Sequence, residues 1–295
     1  MQYDWINNNC INKIKYIEYE NDTLFDEICD CTYVMLCCGD NPIREENVYK
    51  QILKLRPTKN VVIIYFMGYK KCLRSKDSTE DGFNNQMYIF QDALNKNYNR
   101  ILFLEDDFFL EDKGILNTDI QKINNFISVN NIDVYGLGNF IIPTVVTLFK
   151  THQKAYKNFM GMSHAIFYSK KYMINVLNYV ILKINKEQGI NNLKYGYMWD
   201  LLTCEIPDIN VYRYYKPIIY QLFNNSDNQI NCWKKYIGGF MSEIANRGIK
   251  TIKLDKKAQP GFNIMYKSPI IIYIIIIILI IIIIYYIWII IKKIC

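Results

Sequence analysis

The chain has 295 residues and a formal charge of +7 at neutral pH. Residues 1–265 precede an apolar segment near the C-terminus, and they are enough to form one large α/β domain or two small ones. Lysine and arginine are scattered, and no zinc-finger, helix-turn-helix or RNA-recognition signature accompanies them. The charge therefore does not predict nucleic acid as a partner.

A β-α-β unit is predicted near the start of the chain. The apolar segment Thr32–Cys38 is typical of a buried strand. Asp40 or Asn41 can then cap a helix that has Pro42 in its first turn. A second apolar strand is predicted over Val61–Met67.

The same alternation of helix and strand continues along the chain. Apolar residues three or four positions apart predict an amphipathic helix before a third strand, Ile101–Leu104. Further helices are predicted around residues 116–127 and 169–184, and strands around 134–137 and 164–168. This order predicts a mixed, mainly parallel sheet with helices on both faces and ligands at the carboxyl ends of the strands.

Three consecutive acids end the third predicted strand: Glu105, Asp106 and Asp107. Their like charges repel unless a cation or solvent relieves them. Mn²⁺ and Mg²⁺ prefer oxygen ligands, and Mg²⁺ often combines one or two carboxylates with substrate phosphates. The pattern alone leaves open both a metal site and a solvated acidic turn.

The segment Asn99–Asp107 resembles the apolar strand and EDD motif of the glycosyltransferase family 25 group, which includes lipopolysaccharide and collagen galactosyltransferases. Three later stretches resemble further motifs of that group: His164–Lys171, Tyr197–Asp200 and Lys216–Gln221. The composition and residues 61–71 also resemble divergent members from large DNA viruses. The resemblance implies a GT-A-like, Rossmann-like domain over residues 1–265. It also implies transfer from a nucleotide-sugar donor, expected to be a UDP-sugar, to a hydroxyl of a glycan, protein or lipid acceptor.

The resemblance implies roles for individual residues. Glu105 and Asp107 are the expected ligands of Mn²⁺ or Mg²⁺, and Asp106 is expected to face the ribose of the donor or the backbone. Asp200 is the expected catalytic base, although a helix N-cap or a solvated acid remains the alternative. From their positions near predicted strand ends, Arg44 and Lys70 are expected to contact the pyrophosphate of the donor, and His164 is expected to contact phosphate or the acceptor. Ordinary structural or surface roles are the alternative for all three.

The helix before the EDD strand departs from the family pattern. The family has a Ser-His pair there, whereas residues 86–94 contain no histidine. The sequence therefore leaves open a second function, a catalytically inactive glycosyltransferase-like membrane protein with a structural or interaction role. A nucleotidyltransferase is a third possibility, but Cys38-Gly39-Asp40 is not the Gly-rich phosphate loop that it would need.

The segment Ile270–Ile291 contains only Ile, Leu, Tyr and Trp and predicts one transmembrane helix. As a helix it would rise about 33 Å, which matches a bilayer core of roughly 30 Å. Lysines are more numerous before this segment than after it, so the main domain is expected on the cytosolic side of a virion or host membrane. Four clustered cysteines are interpreted as reduced thiols there, without the pattern of a metal site: Cys29, Cys31, Cys37 and Cys38.

Overall fold

The computed structural model describes residues 10–37, 41–72, 75–110, 115–138, 140–143, 150–161, 164–184, 201–221, 274 and 276–287. The helices in these ranges are α1 (Pro42–Leu55), α2 (Ser78–Asn95), α3 (Asn117–Val129), α4 (Lys170–Ile184) and α5 (Leu202–Glu205). The strands are β1 (Ile11–Glu18), β2 (Cys31–Leu36), β3 (Asn60–Phe66), β4 (Arg100–Glu105), β5 (Phe108–Phe109), β6 (Val134–Gly136), β7 (Phe140–Pro143), β8 (His152–Gly161), β9 (Ala165–Ser169), β10 (Val211–Tyr214) and β11 (Tyr220–Gln221).

Nine of the described strands form one mixed sheet in the order β1-β3-β2-β4-β9-β6-β10-β8-β7. β2 pairs in parallel with β3 and β4, and β6 pairs in parallel with β10. The other pairings in this sheet are antiparallel, including both pairings of β9. The predicted mixed α/β architecture is confirmed, but three of the eight pairings described in this sheet are parallel and five are antiparallel, so the sheet is not mainly parallel. β5 and β11 form a separate two-stranded ribbon.

Helices cover both faces of the sheet. The side chains of its central strands therefore alternate between two buried cores. Tyr33 and Met35 of β2 belong to the core that includes residues of α2 and α4. Val34 and Leu36 belong to the core that includes residues of α1 and α3. Apolar side chains on both faces explain why β2 is a continuous apolar run in the sequence.

The start of α1 follows the sequence prediction, but two residues of the helix depart from its apolar spacing. The side chain of Asn41 accepts hydrogen bonds from the backbone N–H groups of Ile43 and Arg44, at 3.1 and 3.3 Å. Ile43 fits the apolar spacing of the helix, yet it is 78% exposed. Gln51 is buried instead, because its side-chain oxygen accepts a hydrogen bond from the Leu110 backbone N–H at 2.9 Å.

Two cysteines outside the predicted cluster form a disulfide. Cys10 and Cys72 form a disulfide that joins the residue before β1 to the turn after β3. Its partners are 62 residues apart and have no informative spacing, so sequence reasoning did not find it. Two members of the predicted cluster, Cys29 and Cys31, are buried free thiols. Cys38 lies outside the described residues.

In the part of the chain that the structure describes, no helix is both long enough and apolar enough to cross a membrane. The predicted span, residues 270–291, is described only at 274 and 276–287, which are helical and exposed. The rest of the predicted span lies outside the described residues.

Candidate active site at the carboxyl ends of β2 and β4

The sheet has a topological switch point between β2 and β4. After β2, the chain passes through α1 to β3 on one side, and then through α2 to β4 on the other side of β2. Ligands of open α/β sheets bind at the carboxyl ends of the strands beside such a reversal. Met35 of β2 pairs with Glu105 of β4, so the residues that follow both strands meet at this edge. The acidic motif therefore lies where the fold predicts a ligand site.

Asp106 is buried at this edge in an ion pair with Arg44. Its Oδ1 and Oδ2 accept hydrogen bonds from Arg44 Nη1 at 3.0 and 2.9 Å. Oδ2 also accepts one from the Cys37 backbone N–H at 2.9 Å. Burial raises the pKa of Asp106, while Arg44 and the Cys37 N–H oppose that change. The charge of Asp106 in turn raises the pKa of Arg44. Arg44 thus ties the first turn of α1 to the end of β4.

Asp107 lacks such an ion pair among the described residues. Its Oδ2 accepts a hydrogen bond from Gln221 Nε2 at 3.0 Å. Its Oδ1 is buried, and no described group hydrogen-bonds to it. Burial, together with the neighbouring charge of Asp106, raises the pKa of Asp107 to about 7. A buried carboxylate oxygen without a partner is costly, and a bound cation would supply the partner.

The raised pKa of Asp107 predicts a stability difference that depends on pH. Between about pH 4 and pH 7 the folded chain holds this proton more tightly than the unfolded chain, so the contribution of Asp107 to the free energy of unfolding falls as pH rises. Asp107→Asn cannot ionise and should remove this decline. Urea unfolding measures the free energy of unfolding of both chains. The difference between the variant and the wild type should shift in favour of the variant by about 2–4 kcal/mol from pH 4 to pH 7.5. If the free energies of unfolding of the two chains change in parallel with pH, the pKa of Asp107 is not raised in the folded chain.

His164 lies directly before β9 and joins the end of β4 to the segment that carries Gln221. Its backbone carbonyl accepts a hydrogen bond from the Glu105 N–H at 3.0 Å. Its Nε2 lies 3.1 Å from the Ile219 carbonyl oxygen, and a carbonyl only accepts, so Nε2 carries the hydrogen. The His164 side chain is fully buried. The contact of His164 with the donor stays a prediction.

Gly138 follows β6 and allows this close approach. A Cβ atom at residue 138 would lie 1.8 Å from the Ile219 carbonyl oxygen and 2.6 Å from His164 Nε2. We expect Gly138→Ala to lower the free energy of unfolding by about 2–3 kcal/mol, because a backbone segment and a buried ring must both move. Chemical denaturation measures this effect. A change below about 0.5 kcal/mol would show that the segment around Ile219 yields easily.

The remaining predicted residues follow a different strand or lie outside the described ranges. Lys70 is exposed in the turn after β3, with its Nζ 5.6 Å from the centre of the Tyr69 ring. That turn is at the carboxyl end of β3, and β2 lies between β3 and β4. Asp200, the predicted base, lies outside the described residues.

The carboxylates at this edge fit a cation that arrives together with a ligand. Among the described residues, no group of three or more His, Cys, Asp or Glu side chains could hold a metal ion. Asp107 and the half-buried Glu105 offer oxygen ligands only, which suit Mn²⁺ or Mg²⁺ better than zinc. Mg²⁺ commonly keeps several water ligands and takes phosphate oxygens from the substrate. These two carboxylates therefore suit a metal ion that takes its remaining ligands from water and a diphosphate.

Sequence reasoning named Gln221 only as part of a motif and did not name Gly138. The contact of Gln221 with Asp107 spans 114 residues and depends on two-residue strands, which have no periodicity to detect. Gly138 was detectable in principle, because a glycine just after a predicted strand is a common sign of close backbone approach.

Comparisons with known proteins give only distant similarity. No protein-family model matches the chain, and no curated protein sequence does. The chain is similar to a glycosyltransferase involved in the glycosylation of the major capsid of PBCV-1, with 14% identity, coverage of 68% of this chain and 96% of that one, and a TM-score of 0.40. It is also similar to A197 from STIV, with 12% identity, coverage of 67% and 86%, and a TM-score of 0.37. At TM-scores this low, neither structure indicates what this chain does.

Proposed function

We propose that this protein is a membrane-anchored glycosyltransferase of GT-A-like fold, related to the family 25 group. It would move a sugar from a nucleotide-sugar donor to an acceptor hydroxyl with a divalent cation at the end of β4. The observation that carries this proposal is Asp107, whose buried Oδ1 has no described hydrogen-bond partner at the switch point of the sheet. The EDD resemblance of Glu105 to Asp107 supports it.

In this proposal the residues at this edge have separate roles in binding a diphosphate. Asp107, with Glu105 beside it, would hold Mn²⁺ or Mg²⁺, which stabilises negative charge on the leaving phosphate. Arg44 neutralises Asp106, so the second carboxylate adds less repulsion towards the donor phosphates. The N-terminal turn of α1 also lies at this edge, and its backbone dipoles favour an anion.

Other parts of the proposal rest on the sequence alone. A UDP-sugar is the expected donor, and Asp200 is the expected base that accepts the proton of the acceptor hydroxyl. Residues 270–291 would anchor the chain in a membrane, with the main domain on the cytosolic side.

One observation favours the alternative of an inactive, structural relative. Gln86 lies in the helix where the family has its Ser-His pair, and its Nε2 donates a hydrogen bond to the Tyr168 hydroxyl at 3.2 Å. Gln86 is buried, so this part of α2 belongs to the packed core. A chain that keeps the fold but has lost donor recognition would fit this packing.

Titration calorimetry of the full chain in detergent distinguishes the two functions. UDP, GDP and their sugar derivatives are titrated with and without Mn²⁺. Binding that requires Mn²⁺ and prefers one nucleotide supports the enzyme and identifies the donor class. No binding of any nucleotide under either condition supports the structural protein.

A further inference from the structure

Residues 215–221, which we name the closing segment, cross the carboxyl edge of the sheet from β10 to β5. Near its start, Lys216 Nζ lies 2.7 Å from Asp119 Oδ2 in the first turn of α3. In its middle, the Ile218 backbone N–H donates a hydrogen bond to the Leu137 carbonyl oxygen at 2.9 Å. At its end it forms β11, which pairs with β5 immediately after the acidic motif. The closing segment is therefore attached to α3, to the residue after β6 and to β5.

The centre of the closing segment is held at one buried backbone group, the Ile219 carbonyl. His164 Nε2 donates to this carbonyl oxygen at 3.1 Å, and the absent side chain of Gly138 makes room for it. Both Ile219 and His164 are fully buried, so water does not replace this hydrogen bond in the folded chain. The ring of His164 thus fixes the backbone two residues before Gln221.

Gln221 in turn determines how the carboxylate of Asp107 is oriented. Its Nε2 donates to Oδ2 of Asp107 at 3.0 Å, which leaves Oδ1 as the oxygen without a described hydrogen-bond partner. Groups that hydrogen-bond to metal ligands set the orientation of those ligands, and their loss typically reduces metal affinity by about 10–100-fold.

We infer that His164 is a positioning residue, which acts through Ile219 and Gln221 to present Oδ1 of Asp107 to a divalent cation. This inference rests on the proposed function and gives His164 a role other than direct contact with the donor. It also explains why a fully buried histidine lies at the edge of the sheet where the ligand is expected.

Three substitutions in the full chain test the inference. His164→Leu removes the ring donor at similar volume, whereas His164→Gln keeps an amide hydrogen that can reach the Ile219 carbonyl. Gln221→Leu removes the donor to Asp107. Gln86→Leu is the matched control, because it removes a buried side-chain donor from the core on the other face of the sheet.

Hydrogen exchange measures the coupling without any metal. His164→Leu should increase exchange at the backbone amides of residues 218–221 and 107–109, whereas His164→Gln should change it little. Gln86→Leu should leave both segments unchanged. Unchanged exchange in His164→Leu, or an equal increase in the control, would overturn the positioning role.

Mn²⁺ binding in the presence of UDP, and separately of GDP, measures the consequence for the site. We expect His164→Leu and Gln221→Leu each to weaken Mn²⁺ binding about 10–100-fold, and the double variant to be no weaker than Gln221→Leu alone. Additive losses, or wild-type affinity in His164→Leu, would overturn the inference. If the wild-type chain binds no Mn²⁺ with either nucleotide, the proposed function fails, and the exchange data alone decide whether His164 positions the closing segment.

Discussion

Asp107→Asn is expected to weaken Mn²⁺-dependent nucleotide binding by about 100-fold or more and to abolish sugar transfer. The substitution keeps the size of the side chain but removes the charge that a hard cation requires. Because the buried Oδ1 of Asp107 has no described hydrogen-bond partner, no other described contact should compensate for the lost metal bond. Calorimetric titration of both chains with UDP and Mn²⁺ measures the loss.

Asp208→Asn is the matched control for this experiment. Asp208 is exposed, and its backbone φ of 53° lies in the left-handed region that asparagine also adopts readily. The control should bind nucleotide as the wild type does. If Asp107→Asn also binds normally while remaining folded, the metal does not lie on Asp107.

Arg44→Met is expected to lower the free energy of unfolding by about 3–5 kcal/mol, which is the usual cost of leaving a buried charge without its partner. Asp106 is 6% exposed, and within the described chain Arg44 is the cation that hydrogen-bonds to it. Urea unfolding at pH 7.5 measures the free energy of unfolding. This pH is chosen because a carboxylate is stabilised by a neighbouring cation only when it is ionised.

The double variant Arg44→Met/Asp106→Asn separates the charge from the packing. The asparagine introduced at position 106 keeps an oxygen for the Cys37 backbone N–H and has no charge to neutralise. We expect the double variant to recover most of the lost stability. A single variant that is as stable as the wild type would mean that Asp106 is protonated in the folded chain.

The elements that sequence reasoning located are those with a buried apolar run or a regular apolar stripe. β2, β3 and β4 are apolar because both of their faces are buried. The helix predicted around residues 116–127 is α3, which buries isoleucines three or four positions apart: Ile120, Ile123 and Ile127. β1 was missed because it is an edge strand whose side chains are mostly exposed. An exposed strand of this kind carries almost no hydropathy signal.

The position of the three acids in the fold was predictable, but their contacts were not. They lie at the carboxyl end of β4 as expected, because position after an apolar strand is a local property. The ion pair of Arg44 with Asp106 links positions 62 residues apart, and Gln221 reaches Asp107 from 114 residues away. Such pairings depend on how the strands are ordered in space, and a single sequence does not contain that information.

Electron paramagnetic resonance of Mn²⁺ added to the full chain, with and without UDP or GDP, tests the central claim most directly. We predict that free Mn²⁺ decreases only when a nucleoside diphosphate is also present, and that Asp107→Asn removes this decrease. Unchanged free Mn²⁺ with both nucleotides, or equal binding by wild type and Asp107→Asn, would contradict a metal-dependent glycosyltransferase site at the end of β4.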